Sequence, residues 1–179
     1  MHYTRDTYGE DETRALGRAF AETLPADAVV AFSGDLGSGK TAFIRGICDT
    51  FSCGGQVSSP TFTIVNEYAG SRRVTHCDLY RLDNMTEMLE IGLDALFRDG
   101  GTVLVEWAER ALPLLPLPRY EIAAAHGDSE AHRRFTVQLL EADAGEADAG
   151  EADAGEADAG EARPVSILAA PAALFRRKA

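Results

Sequence analysis

Two continuous apolar runs predict strands that are buried on both faces, since such strands have no solvent-facing side. They cover residues 28–33 (Ala-Val-Val-Ala-Phe-Ser) and residues 102–107 (Thr-Val-Leu-Val-Glu-Trp). The first run leads directly into a glycine-rich stretch, and the second ends on a carboxylate, Glu106. We therefore expect two buried strands, one followed by the glycine-rich stretch and the other carrying Glu106 near its end.

Apolar residues recur at helical spacing in residues 10–24, just before the first of these strands. They are Leu16, Ala19, Phe20 and Leu24. Pro25 ends the pattern, because proline cannot continue a helix. Thr7 and Glu10 have the spacing of a capping box, so we expect them to cap the start of this helix.

A second helix is predicted from about Gly39 to Phe51, and a third, shorter one follows later in the chain. The buried side of the second helix would carry Phe43, Ile44, Ile47 and Phe51. The third would begin at Asn84 or Thr86, both of which are residue types that cap helices.

Four shorter segments have strand character. Residues 62–68 and 72–77 flank a short turn and predict a hairpin. Residues 120–125 and 135–140 predict two late strands, which the polar residues 126–134 would join.

The acidic charge of the chain is concentrated in one segment. The formal net charge is −12, but residues 141–162 hold nine carboxylates and no basic residue, and the rest of the chain carries 20 acids and 17 bases. The segment repeats Glu-Ala-Asp-Ala-Gly four times and has no apolar face, so we expect it to be disordered. This divides the chain into a folded domain at 1–140, the repeat at 141–162, and a C-terminal strand and helix segment at 163–179.

The glycine-rich stretch at residues 34–41 fits the P-loop pattern Gly-x-x-x-x-Gly-Lys-Ser/Thr at every fixed position. Glycines let the backbone approach phosphates closely, and the following helix directs its N-terminal dipole at them. Lys40 would supply positive charge to the β- and γ-phosphates, and the Thr41 hydroxyl would bind Mg²⁺. The predicted nucleotide-binding residues of the loop are Asp35, Leu36, Gly37, Ser38, Gly39, Lys40 and Thr41.

Three further residues are candidates for the chemistry of a bound ATP. Thr61 lies in the loop after the second helix, where many P-loop proteins carry a threonine that senses the γ-phosphate. Asp78 and Glu106 both end predicted strands, at the edge where an open α/β sheet binds ligands. Either of them fits the acid that completes the Mg²⁺ site, and the sequence pattern leaves both assignments open.

Four motifs, in this order, resemble the TsaE (YjeE) family of bacteria over roughly residues 10–125. They are residues 34–41 (Gly-Asp-Leu-Gly-Ser-Gly-Lys-Thr), 59–62 (Ser-Pro-Thr-Phe), 76–82 (His-Cys-Asp-Leu-Tyr-Arg-Leu) and 105–107 (Val-Glu-Trp). The chain departs from the family pattern at Ser38, where alanine is commoner, and at Ala108, where proline is frequent. The acidic repeat is foreign to it.

The resemblance implies a P-loop NTPase fold, a three-layer α/β sandwich with a mixed, mostly parallel sheet. It implies an ATPase needed to make threonylcarbamoyladenosine beside the anticodon of tRNA. The sequence shows no apolar signal core and no apolar run of membrane-spanning length, so we expect a cytoplasmic protein. Its protein partners would be TsaD and TsaB, which carry out the transfer, and it would meet tRNA only indirectly and no membrane. The cofactors would be ATP and Mg²⁺.

The resemblance also implies residue roles. Lys40 would hold phosphates, Thr41 and Asp78 would belong to the Mg²⁺ site, and Thr61 would be the switch threonine. Glu106 would act as the base or as a water-mediated Mg²⁺ ligand, with Trp107 as its functional neighbour at the nucleotide.

Two alternatives stay open on the sequence. A small-molecule or nucleoside kinase also uses a P-loop, although Arg98, Arg110 and Arg119 are too scattered for an arginine-rich lid. The final strand of the family could correspond to residues 134–140 or to residues 163–169, since both begin with arginine and alternate.

Overall fold

The computed structural model describes residues 2–53, 57–60, 63–82 and 84–142. The order of its helices and strands is β1 (His2–Thr7), α1 (Glu10–Ala21), β2 (Ala28–Ser33), α2 (Lys40–Thr50), β3 (Val65–Tyr68), β4 (Val74–Asp78), α3 (Met85–Glu90), α4 (Leu93–Arg98), β5 (Thr102–Glu106), β6 (Arg119–His126) and β7 (Arg133–Leu140). Two 3₁₀ turns, Ala108–Arg110 and Leu112–Leu114, follow β5.

The strands form one mixed sheet in the order β1-β7-β6-β2-β5-β4-β3. The four central strands, β6, β2, β5 and β4, are parallel to one another. Strands β7 and β3 run the opposite way, and β1 pairs antiparallel with β7, so five strands share one direction. The mixed α/β sheet expected from the resemblance is confirmed.

The sheet is covered on both faces, which gives three layers. Alternate residues of β2 divide between the faces: Val30 and Phe32 pack in the core shared with α1 and α2. Ala31 packs in the second core, which includes Met88 of α3 and Leu93 of α4. The continuous apolar run at residues 28–33 is explained by this double burial.

Helices α1 and α2 approach each other at two glycines. A Cβ atom on Gly17 would lie 2.1 Å from the carbonyl oxygen of Phe43, and one on Gly46 would lie 2.1 Å from the carbonyl oxygen of Arg14. Neither position has room for a side chain. A bidentate ion pair between Arg14 and Asp49, with N–O distances of 2.5 and 2.6 Å, closes the contact on its partly exposed side.

The start of α1 differs from the sequence prediction. Gly9 is the N-cap, and since glycine has no side chain, it accepts no side-chain hydrogen bond from the N–H groups of the first helical turn. The expected capping box of Thr7 and Glu10 is wrong because Thr7 belongs to β1, where its hydroxyl bonds the Thr13 hydroxyl at 2.8 Å. Glu12 instead accepts a hydrogen bond from the backbone N–H of Tyr8 at 2.9 Å.

The late strands agree with the sequence prediction, and β7 lies between β6 and the unpredicted strand β1. Residues 134–140 are therefore part of the sheet. The other candidate for a last strand, 163–169, lies outside the described residues, as do the acidic repeat after its first two residues and the remainder of the predicted segment 163–179. Among the helices described, none has both the length and the apolar character needed to cross a membrane.

Candidate nucleotide site

The loop between β2 and α2 adopts a backbone that needs its glycines. Gly34, Gly37 and Gly39 have φ angles of +124°, +75° and +97°, in the left-handed region that other residues rarely occupy. Gly34 also passes close to β6, where an added Cβ would lie 2.0 Å from the carbonyl oxygen of Ala124. The tight turn of the predicted P-loop is thus present, and α2 begins directly after it at Lys40.

Lys40 is folded over the loop. Its ammonium donates to the carbonyl oxygens of Gly34 at 2.5 Å and Asp35 at 2.9 Å, and it lies 4.2 Å from the ring centre of Trp107. Burial lowers the pKa of the Lys40 ammonium below its usual value, and the charge of nearby Glu106 partly opposes that shift. The ammonium is consequently a poorly hydrated positive charge that an anion entering the pocket can engage.

Two side chains from the neighbouring strands β6 and β7 bond to the next two loop carbonyls. Nε2 of His126, at the end of β6, lies 3.1 Å from the carbonyl oxygen of Leu36. Nε of Arg133, at the start of β7, donates to the carbonyl oxygen of Gly37 at 2.9 Å. With its carbonyls occupied by side chains, the loop retains backbone N–H groups as donors for an anion. Neither residue was singled out from the sequence for this role.

The two predicted carboxylates lie side by side. Asp78 ends β4 and Glu106 ends β5, and they are register partners in the parallel ladder. Both are 3% exposed. Glu106 accepts hydrogen bonds from the Thr41 hydroxyl, with O–O distances of 2.9 and 3.2 Å to its two oxygens. These hydrogen bonds join the first turn of α2 to the end of β5.

Asp78 has a different set of partners. It accepts a hydrogen bond from the Ser59 hydroxyl and another from the backbone N–H of Tyr80 at 3.0 Å. Ser59 belongs to the predicted switch loop, so Asp78 connects the sheet to that loop. Thr61, the predicted switch residue itself, lies outside the described residues.

A histidine that the sequence analysis did not assign completes the carboxylate cluster. His76 is fully buried within β4, and its Nε2 lies 3.0 Å from Oε1 of Glu106. The signal available in the sequence was its position two residues before Asp78 in a buried strand, where a polar side chain needs a partner.

Two aromatic side chains, Tyr80 and Trp107, line the pocket beside the loop. Trp107 follows Glu106 with a left-handed backbone, at φ +58°, which turns its ring toward the pocket edge. The Tyr80 ring lies 5.0 Å from the Trp107 ring, and the Arg110 guanidinium lies 5.8 Å from each of them. The two rings are tilted by 44° to each other, and the face of either one offers an apolar surface on which a planar ring can stack.

The loop, the two carboxylates and the two aromatic rings line one cavity of about 320 Å³. Its walls are Leu36, Gly37, Ser38, Gly39, Lys40, Thr41, Ala42, Ser59, Asp78, Tyr80, Glu106 and Trp107. Every predicted site residue that the structure describes is in this list except Asp35, which contributes its carbonyl oxygen to Lys40. The buried hydroxyl of Ser38 has no hydrogen-bond partner among the described residues, so it is available to donate a hydrogen bond to a phosphate.

The donor set of the cavity fits Mg²⁺ bound together with a nucleotide. In the described part of the chain, no three His, Cys, Asp or Glu side chains form a cluster that could hold a metal alone. Mg²⁺ needs no such cage, because it takes one or two protein oxygens and fills its shell with phosphate oxygens and water. Thr41, Asp78 and Glu106 supply hard oxygen atoms of that kind within one pocket.

A parallel core strand, a P-loop that opens a helix, and a carboxylate at the end of the adjacent strand define the class of P-loop NTPases. The family model of "Threonylcarbamoyl adenosine biosynthesis protein TsaE" matches residues 7–135. The chain belongs to the TsaE family, as its motifs suggested.

Relatives and a solved structure agree with this assignment. A tRNA threonylcarbamoyladenosine biosynthesis protein TsaE of Rickettsia bellii is 42% identical over 116 residues, which is 63% of this chain and 79% of the relative. The protein with the same name in Bacillus subtilis is 37% identical over 132 residues, 73% of this chain and 82% of the relative. The crystal structure of Bacillus subtilis YdiB matches with a TM-score of 0.64 at 30% identity, covering 76% of this chain and 84% of that one.

Proposed function

We propose that this chain is the ATP-hydrolysing subunit required for threonylcarbamoyladenosine modification of tRNA, at the adenosine beside the anticodon. The observation that carries the proposal is the meeting of Lys40, Thr41 and Glu106 at one P-loop pocket in a member of the TsaE family. A phosphate-binding loop, a metal-binding hydroxyl and a buried carboxylate are the parts that phosphoryl transfer to water requires.

The loop would bind the phosphates of ATP. Its N–H groups and the α2 N-terminus meet the phosphate oxygens, and Lys40 turns from the loop carbonyls toward the β- and γ-phosphates. Lys40 is already within 4.2 Å of the Trp107 ring centre, so the ring would lie beside the bound nucleotide. The low hydration of the buried ammonium strengthens its attraction for phosphate.

Mg²⁺ would be held by Thr41 and the carboxylates Asp78 and Glu106, directly or through water. When bound, the metal neutralises charge that develops on the phosphate oxygens during transfer. The hydrogen bond between Thr41 and Glu106 supports a role for Glu106 at this site. The register pairing of Asp78 with Glu106 supports a role for Asp78 as well.

Glu106 would orient the attacking water and accept its proton as the water oxygen bonds to the γ-phosphorus and the bond to the ADP oxygen breaks. Its carboxylate is buried at the pocket edge and reaches into the cavity. We assign the switch role at the γ-phosphate to Thr61 on its motif position. Ser59, which precedes it by two residues, bonds to Asp78 and gives this loop a connection to the site.

The protein partners would be TsaD and TsaB, with ATP hydrolysis accelerated in their complex and tRNA contacted only through it. We assign this complex to the cytoplasm. The test is phosphate release from Mg²⁺–ATP by the purified chain, alone and with the TsaD–TsaB pair. We expect slow hydrolysis alone and faster hydrolysis with the pair, and both activities should be lost in Lys40→Ala. Hydrolysis that the pair leaves unchanged would overturn the partner assignment, and none under either condition would overturn the ATPase assignment.

A further inference from the structure

His76 touches the Glu106 carboxylate from inside the sheet. It lies in the middle of β4, is fully buried, and is not among the residues that line the nucleotide cavity. In the parallel ladder His76 pairs with Leu104, so its bond to Glu106 runs diagonally to a residue two positions further along β5. The contact therefore reaches the carboxylate without blocking its access to the pocket.

The surroundings of the two ring nitrogens favour a proton on Nε2. A carboxylate that takes a proton from water must begin without one and then only accepts hydrogen bonds, so in this role Nε2 of His76 would be the N–H donor to Oε1 of Glu106, at 3.0 Å. Nδ1 is buried and has no hydrogen-bond partner among the described residues. A proton on Nδ1 would leave a buried donor unsatisfied, which costs free energy. The ring would therefore donate from Nε2 and give Oε1 one hydrogen bond from a fixed position.

Thr41, which also donates to Glu106, has a second proposed role. The Thr41 hydroxyl bonds both carboxylate oxygens in this structure, and Thr41 is also the proposed Mg²⁺ ligand. Metal binding would reorient that hydroxyl. His76 makes no other side-chain hydrogen bond in the described part of the chain, so its bond can persist through the reaction.

We propose that His76 is a positioning residue for hydrolysis, which fixes Oε1 of Glu106 and thereby aims Oε2 at the attacking water. This role rests on the proposed hydrolysis of ATP. A glutamate side chain has three rotatable bonds, and a carboxylate that rotates freely loses the alignment that water activation requires. His76 supplies that alignment from a rigid, interior strand.

Replacing His76 tests this role through its effect on turnover and not on binding. His76→Leu removes the donor, and we expect kcat for phosphate release to fall about 10- to 100-fold, the usual loss when an outer-shell partner is removed. ATP affinity should stay within about twofold, because His76 does not reach the cavity. Affinity can be followed by the fluorescence of Trp107, which is the single tryptophan in the chain and lines the pocket.

Two conservative variants keep the test independent of whether the leucine variant folds. The amide nitrogen of glutamine reaches about as far as Nε2 of histidine, whereas that of asparagine reaches only as far as Nδ1. We therefore expect His76→Gln to retain most of kcat and His76→Asn to lose it. Val74→Ala is the matched control: Val74 is a fully buried residue on the same face of β4 and does not contact Glu106. It should lower the melting temperature and leave kcat unchanged.

A double variant shows whether His76 acts through Glu106. If it does, His76→Leu combined with Glu106→Gln hydrolyses ATP no more slowly than Glu106→Gln alone, since effects on one functional unit are not additive. The positioning role is overturned if the two losses multiply, if glutamine and asparagine behave alike, or if Val74→Ala lowers kcat as much as His76→Leu. The wild-type chain is measured in the same assay. If it hydrolyses ATP, these outcomes concern His76 alone; if it does not, the ATPase proposal itself has failed.

Discussion

Glu106 is the residue at which three separate parts of the chain meet. It ends β5, accepts a hydrogen bond from Thr41 at the start of α2, and contacts His76 from β4. Its neighbour Trp107 packs under the Lys40 ammonium. Thr41 and His76 contact the carboxylate directly, and Lys40 contacts its neighbour Trp107. We expect variants of these residues to differ in whether they change ATP binding, hydrolysis or both.

Lys40→Ala should weaken ATP binding and abolish hydrolysis. Removal of a charged donor to phosphate costs about 2 kcal/mol, which is roughly a 30-fold increase in the dissociation constant. Titration of Trp107 fluorescence with ATP measures the affinity, and a phosphate-release assay measures turnover. Normal turnover in this variant would contradict the assignment of the P-loop.

Glu106→Gln should keep ATP binding and lose most hydrolysis. The amide preserves the shape and can still accept a hydrogen bond from Thr41, but it cannot take a proton from water, a contribution of about 10²- to 10⁴-fold in rate. Single-turnover phosphate release, beside an ATP titration, separates the two effects. Wild-type hydrolysis in this variant would place the base elsewhere.

Asp78→Asn should weaken the Mg²⁺-dependent part of nucleotide binding, by about 10-fold. The carboxylate lies beside Glu106 at the proposed metal site, and its loss removes one negative charge facing the cation. Titrating a fluorescent ATP analogue with and without Mg²⁺ measures the effect. Equal affinity to the wild type in Mg²⁺ would remove Asp78 from the metal site, and the Mg²⁺-free titration is the internal control.

The local part of the site could be predicted from sequence, whereas the long-range part could not. The P-loop is defined by residues within eight positions of one another, and the sequence pattern predicts Asp78 and Glu106 at the ends of two strands. His76, His126 and Arg133 meet their partners across 30, 90 and 96 residues of chain. Such contacts depend on strand order, and no spacing in the sequence encodes that order.

At the scale of elements, the position of α2 depends on its close contact with α1. The two helices meet where Gly17 and Gly46 bring backbone against backbone, and the P-loop is the direct N-terminal extension of α2. The packing of α1 therefore controls the placement of Lys40 and Thr41, although α1 does not line the cavity.

Gly46→Ala should destabilise the protein and weaken nucleotide binding together. The added Cβ would lie 2.1 Å from the Arg14 carbonyl oxygen, so α2 must shift, and overpacking of this kind costs about 1–3 kcal/mol. The higher helix propensity of alanine offsets about 1 kcal/mol at most. Urea unfolding and an ATP titration measure the two effects.

Gly9→Ser is the control for this variant, because nothing lies within 4 Å of a Cβ at Gly9 and serine is a favourable N-cap. We expect no loss of stability there. If Gly46→Ala were as stable as Gly9→Ser, the glycine contact would not determine the helix spacing.

The elements that the sequence missed are those with weak apolar signals. Strand β1 was not predicted because its residues are largely polar and lie at the sheet edge, where Tyr3 packs against the core. The short helix α4 has one fully buried residue, Leu93, and its helical period is too brief to detect. The central strands β2 and β5 were predicted within one residue, because burial on both faces gives them continuous apolar runs.

At the scale of the whole molecule, the described sheet is complete through β7 at Leu140, before the acidic repeat. Deleting residues 141–162 should therefore leave the melting temperature and ATP affinity unchanged, since the repeat has no apolar face to pack. Thermal unfolding and the Trp107 titration measure both. As a control, a deletion of 135–162 also removes the buried residues Phe135 and Val137 and should prevent folding. A large drop in melting temperature for the shorter deletion would show that the repeat is structural.

Formation of threonylcarbamoyladenosine on tRNA tests the account most directly. TsaD, TsaB, the threonylcarbamoyl donor, Mg²⁺–ATP and tRNA are combined with the wild-type chain, with Glu106→Gln, or with no addition, and the modified base is counted per TsaD–TsaB pair over time. Because we propose that ATP hydrolysis by this chain is required for the modification, we expect the modified base to accumulate with the wild-type chain and little or none to form with Glu106→Gln or without the chain. Equal yields in all three reactions would contradict the proposed function.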